Sequence, residues 1–419
     1  MYPIPPFVSD IAANIKYIWG LTWWIIIPFL TFFVFLDAWL SFRRGQFAKS
    51  IKWQLLEIKV PKDILKTPKA MEQIFAAAHA AYSGIEFWDK YYKGKLQNWM
   101  VFELISIGGL VHFYVRTPVG FRNMLESAIY AQYPEAEIVE PTSDYLDDLP
   151  KELPNKDLDL FGNDLIFANP DCYPIRTYIS FEESVEERRL DPVSSVIEVL
   201  SRLKGDQRIF YQILIRPTKD DWKKEGEEVV NKLIGKKKES KPNIFNEFWV
   251  FIKNLAMAPA RVPTWGAPKT DKAANLMANL TSGQKLVVEG IEEKMSKIGF
   301  EATVRFMYID RADTFGRENI AAFNGAFRQF NTQNLNSFKP DSETATSVNK
   351  GLFKKTQTMD RKKTFYHDYR SLKMAKKVII LNTEELATIY HFPILGGKVP
   401  MIQRLEYKKG EPPQALPVE

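Results

Sequence analysis

One glycine pair followed by lysine, Gly396-Gly397-Lys398, is the closest match in this sequence to a nucleotide-binding loop. A phosphate-binding loop needs backbone amides at a helix N-terminus, a lysine, and a serine or threonine after the lysine to bind Mg²⁺. Val399 follows the lysine, so the hydroxyl is missing, and no G-x-G-x-x-G motif follows a predicted strand. The sequence therefore argues against an intrinsic ATPase.

Histidine and cysteine are scarce: the chain has four histidines and one cysteine, Cys172. One cysteine excludes an intramolecular disulfide and a zinc site built on several thiolates. Packing explains His79 and His112 better than metal ligation, and His391 is expected at a helix end, where the dipole favours a cation. The nearest basic residue in sequence to Cys172 is Arg176, so we expect an unreactive thiol. These residues predict no catalytic, cofactor-binding or metal site, and a protein that is not an enzyme.

A basic and aromatic segment, residues 350–376, is the strongest candidate for binding. It contains nine lysines and arginines against two aspartates, Asp360 and Asp368. The aromatic residues interleaved with them are Phe353, Phe365, Tyr366 and Tyr369. Three interpretations fit a loop of this composition: contact with nucleic-acid phosphates and bases, contact with anionic lipid headgroups, and a merely solvated loop. The residues assigned to nucleic-acid or lipid contact are Lys354, Lys355, Arg361, Lys362 and Lys363.

An uncharged run near the N-terminus, residues 17–36, reads YIWGLTWWIIIPFLTFFVFL. A helix of this length spans about 30 Å, which is the thickness of the hydrocarbon core of a bilayer. Tryptophans lie near both ends of the run, as in the two interfacial belts. A cleaved signal peptide fits poorly, because the run is too long and lacks a basic start and a small-residue cleavage site. We therefore predict one transmembrane helix over residues 17–42, with the lipid bilayer as its partner.

Charges on either side of this span predict its orientation. Asp10 and Lys16 precede it. Four basic residues follow it: Arg43, Arg44, Lys49 and Lys52. The positive-inside rule then places residues 1–16 outside, as a short non-cytoplasmic tail, and the C-terminal bulk in the cytoplasm.

The first part after the span, residues 50–140, has the periodicity of a β-α-β-β-α-β unit. Strands are predicted over residues 53–60, 100–107, 110–117 and 136–139. One helix begins at Thr67-Pro68, with Thr67 as N-cap, and a second begins at Pro118. Gly108-Gly109 suits a two-residue hairpin turn. This order predicts a ferredoxin-like module, and hence an α+β fold class.

A connector rich in proline and acidic residues, 141–174, leads to a second α+β module of related type, residues 175–405. Its predicted strands cover residues 175–181, 208–216, 301–308 and 377–381. Its predicted helices cover residues 192–203, 219–241, 284–297 and 317–330, with a further short helix capped by Thr383. One hairpin strand is missing from this pattern. An insertion, residues 217–280, splits the module, and residues 406–419 form a C-terminal tail.

Residues 244–255 in the insertion, IFNEFWVFIKNL, form the next most apolar stretch. The stretch is too short and too charged for a second span. A helix this apolar is buried in the core of its own domain, against a partner subunit, or at the membrane interface.

Three stretches carry a resemblance to a known family: IKVPKDILKTPKAMEQIFAAAHAAYSG, ELISIGGLVHFYVRTPVGFRNMLESAIYAQYPEAEI and LNTEELATIYHFP. They are similar to the N-terminal, membrane-anchored region of type IV secretion- and conjugation-associated proteins of candidate-phyla bacteria. In that family a membrane helix and ferredoxin-like modules precede a DNA-translocase-type ATPase. The resemblance covers most of residues 53–393, and its motifs are structural ones. It implies a single-pass protein of the bacterial inner (plasma) membrane. The chain ends about where the ATPase domain of a relative would begin, so we expect the anchor and modules alone, without ATP hydrolysis.

We therefore expect a non-catalytic, membrane-anchored scaffold that docks a separate secretion-type P-loop ATPase subunit through sheet edges and apolar helix faces. The alternative is a DNA-binding subunit of the same machine that uses residues 350–376. A hydrolase with an unorthodox site is a third interpretation. The sequence leaves open the transported substrate and the oligomeric state, including a homo-oligomer.

Overall fold

The structure, a computed structural model, describes residues 6–61, 66–181, 191–235, 280–348 and 353–393. The chain forms two compact units. The anchor unit comprises residues 1–53 and 83–98, and the sheet unit comprises residues 54–82 and 99–419. Several predictions lie outside the described residues: the apolar stretch 244–255, the glycine pair at 396–397 and the tail 406–419.

The anchor unit is built on one long helix, α1, which covers Pro6–Ser50. Within the part of the chain that the structure describes, α1 is the one helix long and apolar enough to cross a membrane. Most of the apolar side chains described in its uncharged run are exposed, as Trp24 at 60% and Val34 at 69% exposure illustrate. A water-exposed surface of this kind is unfavourable, since each buried methylene is worth about 0.8 kcal/mol. A turn of π-helix, Asp89–Lys93, also belongs to this unit.

The sheet unit contains a nine-stranded sheet. Its strands are β1 Trp53–Lys59, β2 Met100–Ile107, β3 Leu110–Pro118, β4 Glu137–Val139, β5 Leu158–Phe167, β6 Arg208–Pro217, β7 Gly299–Arg311, β8 Phe338–Pro340 and β9 Ile379–Asn382. Its helices are α2 Lys69–Ala78, α3 Arg122–Gln132, α4 Ser194–Ser201, α5 Lys223–Leu233, α6 Ser282–Ser296, α7 Glu318–Phe327, α8 Lys354–Arg370 and α9 Thr383–Ile389. The α+β class and the predicted apolar N-terminal helix are therefore confirmed.

The strand order is β4-β1-β3-β2-β6-β7-β5-β8, and β9 pairs with β7. The first four strands thus follow the spatial order 4-1-3-2, and β5 to β8 repeat that order in reverse. The two halves meet at β2 and β6, which pair antiparallel from Met100↔Ile215 to Ile107↔Arg208. One continuous sheet therefore joins the stretches that the sequence predicts as separate modules.

Strand β5, which the sequence does not predict, lies inside the predicted connector 141–174 and is the first strand of the second half. It pairs with β7 from Leu158↔Arg311 to Leu165↔Val304, in the interior of the sheet. The predicted connector therefore contains a strand of the sheet at Leu158–Phe167. Four polar or small residues interrupt the apolar pattern of this strand, and residues on β7 and α8 account for three of them, as described below.

Three local predictions are also wrong. Residues 175–181 are not a strand, because α9 side chains satisfy the backbone: Ile175 N donates to Glu385 Oε1 at 3.0 Å, and Tyr178 N to Thr388 Oγ1 at 2.9 Å. Thr67 does not cap α2, since Pro68 occupies the N-cap position without a side-chain hydrogen bond. The N-cap of α9 is Asn382 rather than Thr383, and Asn382 forms a capping box with Glu385. The hairpin prediction holds, with positive φ at Gly108 and Gly109.

The two faces of the sheet are covered differently. Helices α2, α3, α4, α7 and α9 contribute to the large apolar core, in which Phe75, Phe102 and Phe323 are fully buried. A smaller core on the opposite face contains loop residues 145–153 and the aromatic residues of α8. This second face carries the polar groups described next.

Candidate functional site

The basic segment predicted as a loop is the helix α8 over Lys354–Arg370. Its aromatic residues Phe365, Tyr366 and Tyr369 fall on one helical face and pack into the sheet, where each is 6% exposed or less. They are therefore unavailable for stacking on nucleic-acid bases. Phe353, directly before the helix, is 73% exposed.

The five predicted contact residues separate into two groups. Arg361 and Lys362 are partly buried: Arg361 Nη1 donates to the carbonyl oxygens of Ser342 at 2.9 Å and Ala345 at 3.0 Å, and Lys362 Nζ lies 2.5 Å from Asp159 Oδ1. These contacts fix α8 to neighbouring segments. Lys354, Lys355 and Lys363 are exposed. Their assignment to nucleic-acid or lipid contact stays a prediction.

A row of buried polar side chains crosses the centre of the sheet beneath α8. The register pairs Glu103 on β2 with Gln212 on β6, Gln212 with Arg305 on β7, and Arg305 with Asp164 on β5. All four are 3% exposed or less. Because side chains opposite one another in register share a face, the sheet lines these groups up side by side.

Direct hydrogen bonds and ion pairs connect most of this polar row. Gln212 Nε2 donates to Glu103 Oε1 at 2.7 Å, and Arg116 Nε donates to Glu103 Oε2 at 3.0 Å. At the other end, Arg305 Nε donates to Asp164 Oδ1 at 3.0 Å. Burial raises the pKa of Asp164, and the Arg305 charge opposes that shift. A charge removed from water costs several kcal/mol unless it is paired in this way, so the pairing is what makes the row compatible with folding.

Two tyrosines lie at the Glu103 end of the polar row, beside Arg116. The Tyr145 and Tyr369 hydroxyls lie 2.9 Å apart, and the Arg116 guanidinium lies 4.9 Å from the centre of the Tyr145 ring. Burial raises the pKa of both phenols well above the ordinary value. They therefore stay protonated near neutral pH, which makes them hydrogen-bond donors rather than bases.

At the Asp164 end, the polar row reaches a cavity of about 260 Å³. Its charged lining consists of Asp164, Asp341, Glu343, Asp360, Asp368, Arg305, Arg361, Lys373 and Lys376. Several of these charges have partners, including Lys373 Nζ at 3.1 Å from Asp368 Oδ1. Across the described ranges, no group of three or more His, Cys, Asp or Glu side chains is placed to hold a metal ion. The cavity is thus a cleft of mixed charge rather than a single-sign anion or cation site.

The predicted packing roles of the histidines agree with the geometry. His79 Nε2 lies 3.2 Å from the Thr218 carbonyl oxygen, and His112 Nδ1 lies 2.8 Å from Glu57 Oε1. His391 follows α9, with Nδ1 2.7 Å from the Ala387 carbonyl oxygen at the helix end. The contacts of all three histidines are structural.

Cys172 lies in a small apolar cluster with Val230, Val288 and Ile291. Burial raises the pKa of its thiol to about 11 and that of the neighbouring Asp171 carboxyl to about 6. A thiol with a raised pKa is a poor nucleophile at neutral pH, because the thiolate is the reactive form. Burial and the raised pKa therefore favour an unreactive thiol, which stays a prediction.

The polar row has a signal in the sequence that strand prediction does not use. Glu103, Gln212 and Arg305 are each the only charged or amide side chain in a mainly apolar strand: MVFELISI, IFYQILI and ATVRFMY. A lone polar residue in a buried strand needs a partner, so three such residues indicate a shared network. Pairing them requires the strand register, which the sequence alone does not supply.

A family model described as a domain of unknown function (DUF8128) matches residues 44–396. The match covers well over half of the chain, so the protein belongs to this family. The matched residues begin after the apolar run of α1 and include the sheet unit's described strands and helices. No curated protein matches the chain.

Proposed function

We propose that this member of the DUF8128 family is a non-catalytic scaffold that docks a separate protein. In this proposal α1 anchors the scaffold in a membrane. The observation that carries the proposal is the exposed apolar run of α1, which no described part of the anchor unit covers. Water is an unfavourable solvent for such a surface, and a bilayer is a favourable one. In the proposed bacterial inner membrane, the flanking charges support an orientation with residues 1–16 outside and the bulk in the cytoplasm.

The strand order supports the ferredoxin-like interpretation of both halves. Split β-α-β units with the spatial order 4-1-3-2 belong to that architecture. We propose that β1 to β4 and β5 to β8 are two such modules, joined edge to edge at β2 and β6. Such a sheet presents helices and loops, rather than a pocket, as its main surfaces.

The use of the buried polar groups supports the absence of catalysis. Arg116, Glu103, Arg305 and Asp164 are engaged with one another or with near neighbours. A general base or nucleophile must be within hydrogen-bond reach of a substrate atom. These side chains instead form hydrogen bonds and ion pairs with one another. The polar row is therefore better suited to fixing strand register than to chemistry.

Short sheet edges favour docking through helix surfaces. The terminal strands β4 and β8 have three residues each, so a partner strand would gain few backbone hydrogen bonds there. The start of α8 is a better surface, since Phe353 and Met359 are 73% and 45% exposed beside exposed lysines. The proposed partner is a secretion- or conjugation-type ATPase subunit.

Membrane extraction and an ATPase assay test the proposal together. The full chain should stay in the membrane fraction after alkaline carbonate extraction and require detergent for release. The variant Ile26→Lys/Phe33→Lys should shift to the soluble fraction, because each central lysine costs about 3 kcal/mol of insertion free energy. The matched control is Ile26→Leu/Phe33→Leu, which should stay in the membrane.

Affinity purification of the detergent-solubilised chain should then enrich a P-loop ATPase, while the purified chain alone hydrolyses no ATP. A freely soluble full chain, or ATP turnover by the chain alone, would refute the proposal. Repeated purification without such an ATPase would count against the proposed partner and leave the anchor intact.

DNA binding through α8 is the second candidate function, and the exposure of Lys354, Lys355 and Lys363 favours it. Three phosphate contacts predict that log K falls with log salt concentration by a slope contribution of about 2.7. Changing these three lysines to glutamine should remove that contribution. In the control, three other exposed lysines are changed to glutamine, so that the net charge falls by the same amount. They are Lys204, Lys219 and Lys232.

Fluorescence anisotropy with a duplex over a series of salt concentrations measures both slopes. Equal slopes for the two triple variants would exclude α8 as the DNA contact. Arg361 and Lys362 are unsuitable for this test, because their loss would also release α8 from its neighbours.

A further inference from the structure

Within the anchor unit, residues 87–93 pack against the end of α1 that follows its apolar run. Arg43 Nε donates to the Tyr92 carbonyl oxygen at 2.8 Å, and Trp39 Nε1 donates to the Tyr91 carbonyl oxygen at 3.4 Å. The Arg43 guanidinium also lies 5.6 Å from the Trp39 ring and 5.7 Å from the Tyr92 ring. These contacts hold the segment at a fixed position along α1.

Gly94 makes this close approach feasible. Its φ is +67°, a conformation that favours glycine, and a Cβ here would lie 2.5 Å from the Arg43 carbonyl carbon. Any larger residue would therefore push the segment away from α1. The glycine also ends the π-helical turn Asp89–Lys93.

The packed segment presents an aromatic face that nothing in the described anchor unit covers. Phe87 is 66% exposed, Trp88 74% and Tyr92 64%. The Phe87 ring lies 5.9 Å from the Trp88 ring and 4.6 Å from the Tyr91 ring, so these three rings form a cluster, and Tyr92 follows it directly in the chain. Exposed aromatic clusters mark surfaces that meet another apolar phase or a partner.

The position of this face along α1 points to its occupant. The uncharged run ends at Leu36, and Trp39 and Arg43 follow by about 4 Å and 10 Å along the helix axis, at 1.5 Å per residue. The headgroup region of a bilayer extends roughly 5–7 Å beyond the hydrocarbon core on each side, so with the core edge at Leu36 the ring of Trp39 falls within it and Arg43 falls at its aqueous side. Tryptophan and tyrosine are enriched at that depth, because their rings are apolar and their polar atoms reach water.

We propose that Phe87, Trp88 and Tyr92 form an interfacial anchor that inserts into the headgroup region of the leaflet next to Arg43. The inference rests on the proposed membrane span of α1, whose apolar end it continues. With this second contact, α1 is fixed in depth and in rotation about its axis, which one helix alone does not achieve. The occupant is the lipid interface, and a protein partner is the competing outcome.

Environment-sensitive probes test the depth of this face in the full chain. Cys172→Ala removes the native thiol, and single cysteines at Trp88→Cys, Phe87→Cys or Val34→Cys carry the fluorophore NBD in lipid vesicles. Nitroxide lipids quench from either the headgroup depth or the bilayer centre, and iodide quenches from water. We expect the probes at 87 and 88 to lose most fluorescence to the shallow nitroxide, and the probe at 34 to lose most to the deep one.

The pattern of quenching separates the inference from the membrane span on which it rests. Deep quenching at 34 with iodide quenching at 87 and 88 would overturn the interfacial anchor and leave the span intact. Probes at 87 and 88 that neither iodide nor nitroxide lipid quenches would indicate a protein partner, and would also overturn it. Iodide quenching at 34 would refute the span and the interfacial anchor together.

Discussion

Arg305 Nε on β7 donates to Asp164 Oδ1 on β5 at 3.0 Å, and the two residues are register partners in the sheet. Arg305 is 2% exposed and is among the largest fully buried side chains of the described residues. An ion pair at this depth contributes little net stability compared with apolar residues, but it strongly disfavours any register that separates the charges. Asp164 and Arg305 therefore specify how the second half of the sheet is assembled.

Removal of one partner should destabilise the fold strongly. Asp164→Ala leaves the Arg305 charge buried without a counter-charge, so we expect a loss of about 3–5 kcal/mol in the free energy of unfolding. Urea unfolding of the full chain in detergent micelles, followed by near-ultraviolet circular dichroism, measures the change. The double variant Asp164→Leu/Arg305→Met is the matched control and should recover most of the loss. A double variant as unstable as Asp164→Ala would show that the charge pair itself is not the cause.

Asp171 should make stability depend on pH. Burial raises the pKa of its carboxyl from an ordinary value of 3.8 to about 6 in the folded protein. The folded state then binds the proton more tightly than the unfolded state, so stability falls as pH rises between about 4 and 6. Asp171→Asn cannot ionise, and should therefore be more stable than the native protein by about 3 kcal/mol at neutral pH.

Urea unfolding of both proteins at about pH 4 and at neutral pH measures this difference. The difference should be much smaller at about pH 4, where the carboxyl is protonated in the folded state and about half protonated in the unfolded state. If the variant and the native protein differed by the same free energy of unfolding at both pH values, a raised pKa of Asp171 would be contradicted.

Cys172 should react slowly with thiol reagents. Burial raises the pKa of its thiol to about 11, so the thiolate is rare at neutral pH and the sulfur is also shielded. Ellman's reagent should label the folded chain far more slowly than the chain in denaturant. An exposed cysteine at Leu286, which is 62% exposed, provides the control for reagent activity. Labelling of Cys172 at the control rate would show that the cluster with Val230 and Ile291 opens readily.

Gly162 should tolerate no side chain. A Cβ at this position would lie 2.2 Å from Phe365 Cε1, so Gly162→Ala must shift the Phe365 ring, which packs α8 against the sheet. We expect a cost of about 1–3 kcal/mol in the free energy of unfolding. Gly325→Ala in α7 is the matched control: open space surrounds that position, and alanine should add up to about 1 kcal/mol there. Phe365→Leu should partly rescue Gly162→Ala, and failure to do so would place the clash elsewhere.

The strands whose signals are local were predictable from the sequence. Gly108-Gly109 predicts the hairpin of β2 and β3, and the periodicity predicts β6 and β7 to within a few residues. Residues near in sequence decide these elements, through turn chemistry and alternation of apolar side chains.

Elements that depend on distant partners were not predictable. Strand β5 is interrupted by Asp159, Gly162, Asn163 and Asp164, which read as a loop. Lys362 pairs with Asp159, Phe365 fills the space above Gly162, and Arg305 pairs with Asp164. These partners lie more than 140 residues away in the chain. The sequence also gives little sign of the helix α8. Its buried face consists of three aromatic side chains, and the rest of the segment is strongly charged.

The candidate site was predictable in part. The sequence identifies the basic residues of α8, but it cannot separate the structural pair Arg361 and Lys362 from exposed residues such as Lys363. Exposure and backbone contacts make that distinction, and both depend on the packing of α8 against loop residues 342–345. The polar row remained hidden for a related reason, because no two of its members lie on consecutive residues.

Strands β2 and β6 are long at the place where the two halves join, with eight and ten residues, whereas the outermost strands have three each. If one half unfolded alone, the half that stayed folded would expose the full length of β2 or β6. That unpaired strand could pair with another chain and start aggregation. Heating should consequently unfold both halves in a single cooperative transition. Truncation of the chain to one half should give insoluble protein rather than a smaller folded fragment.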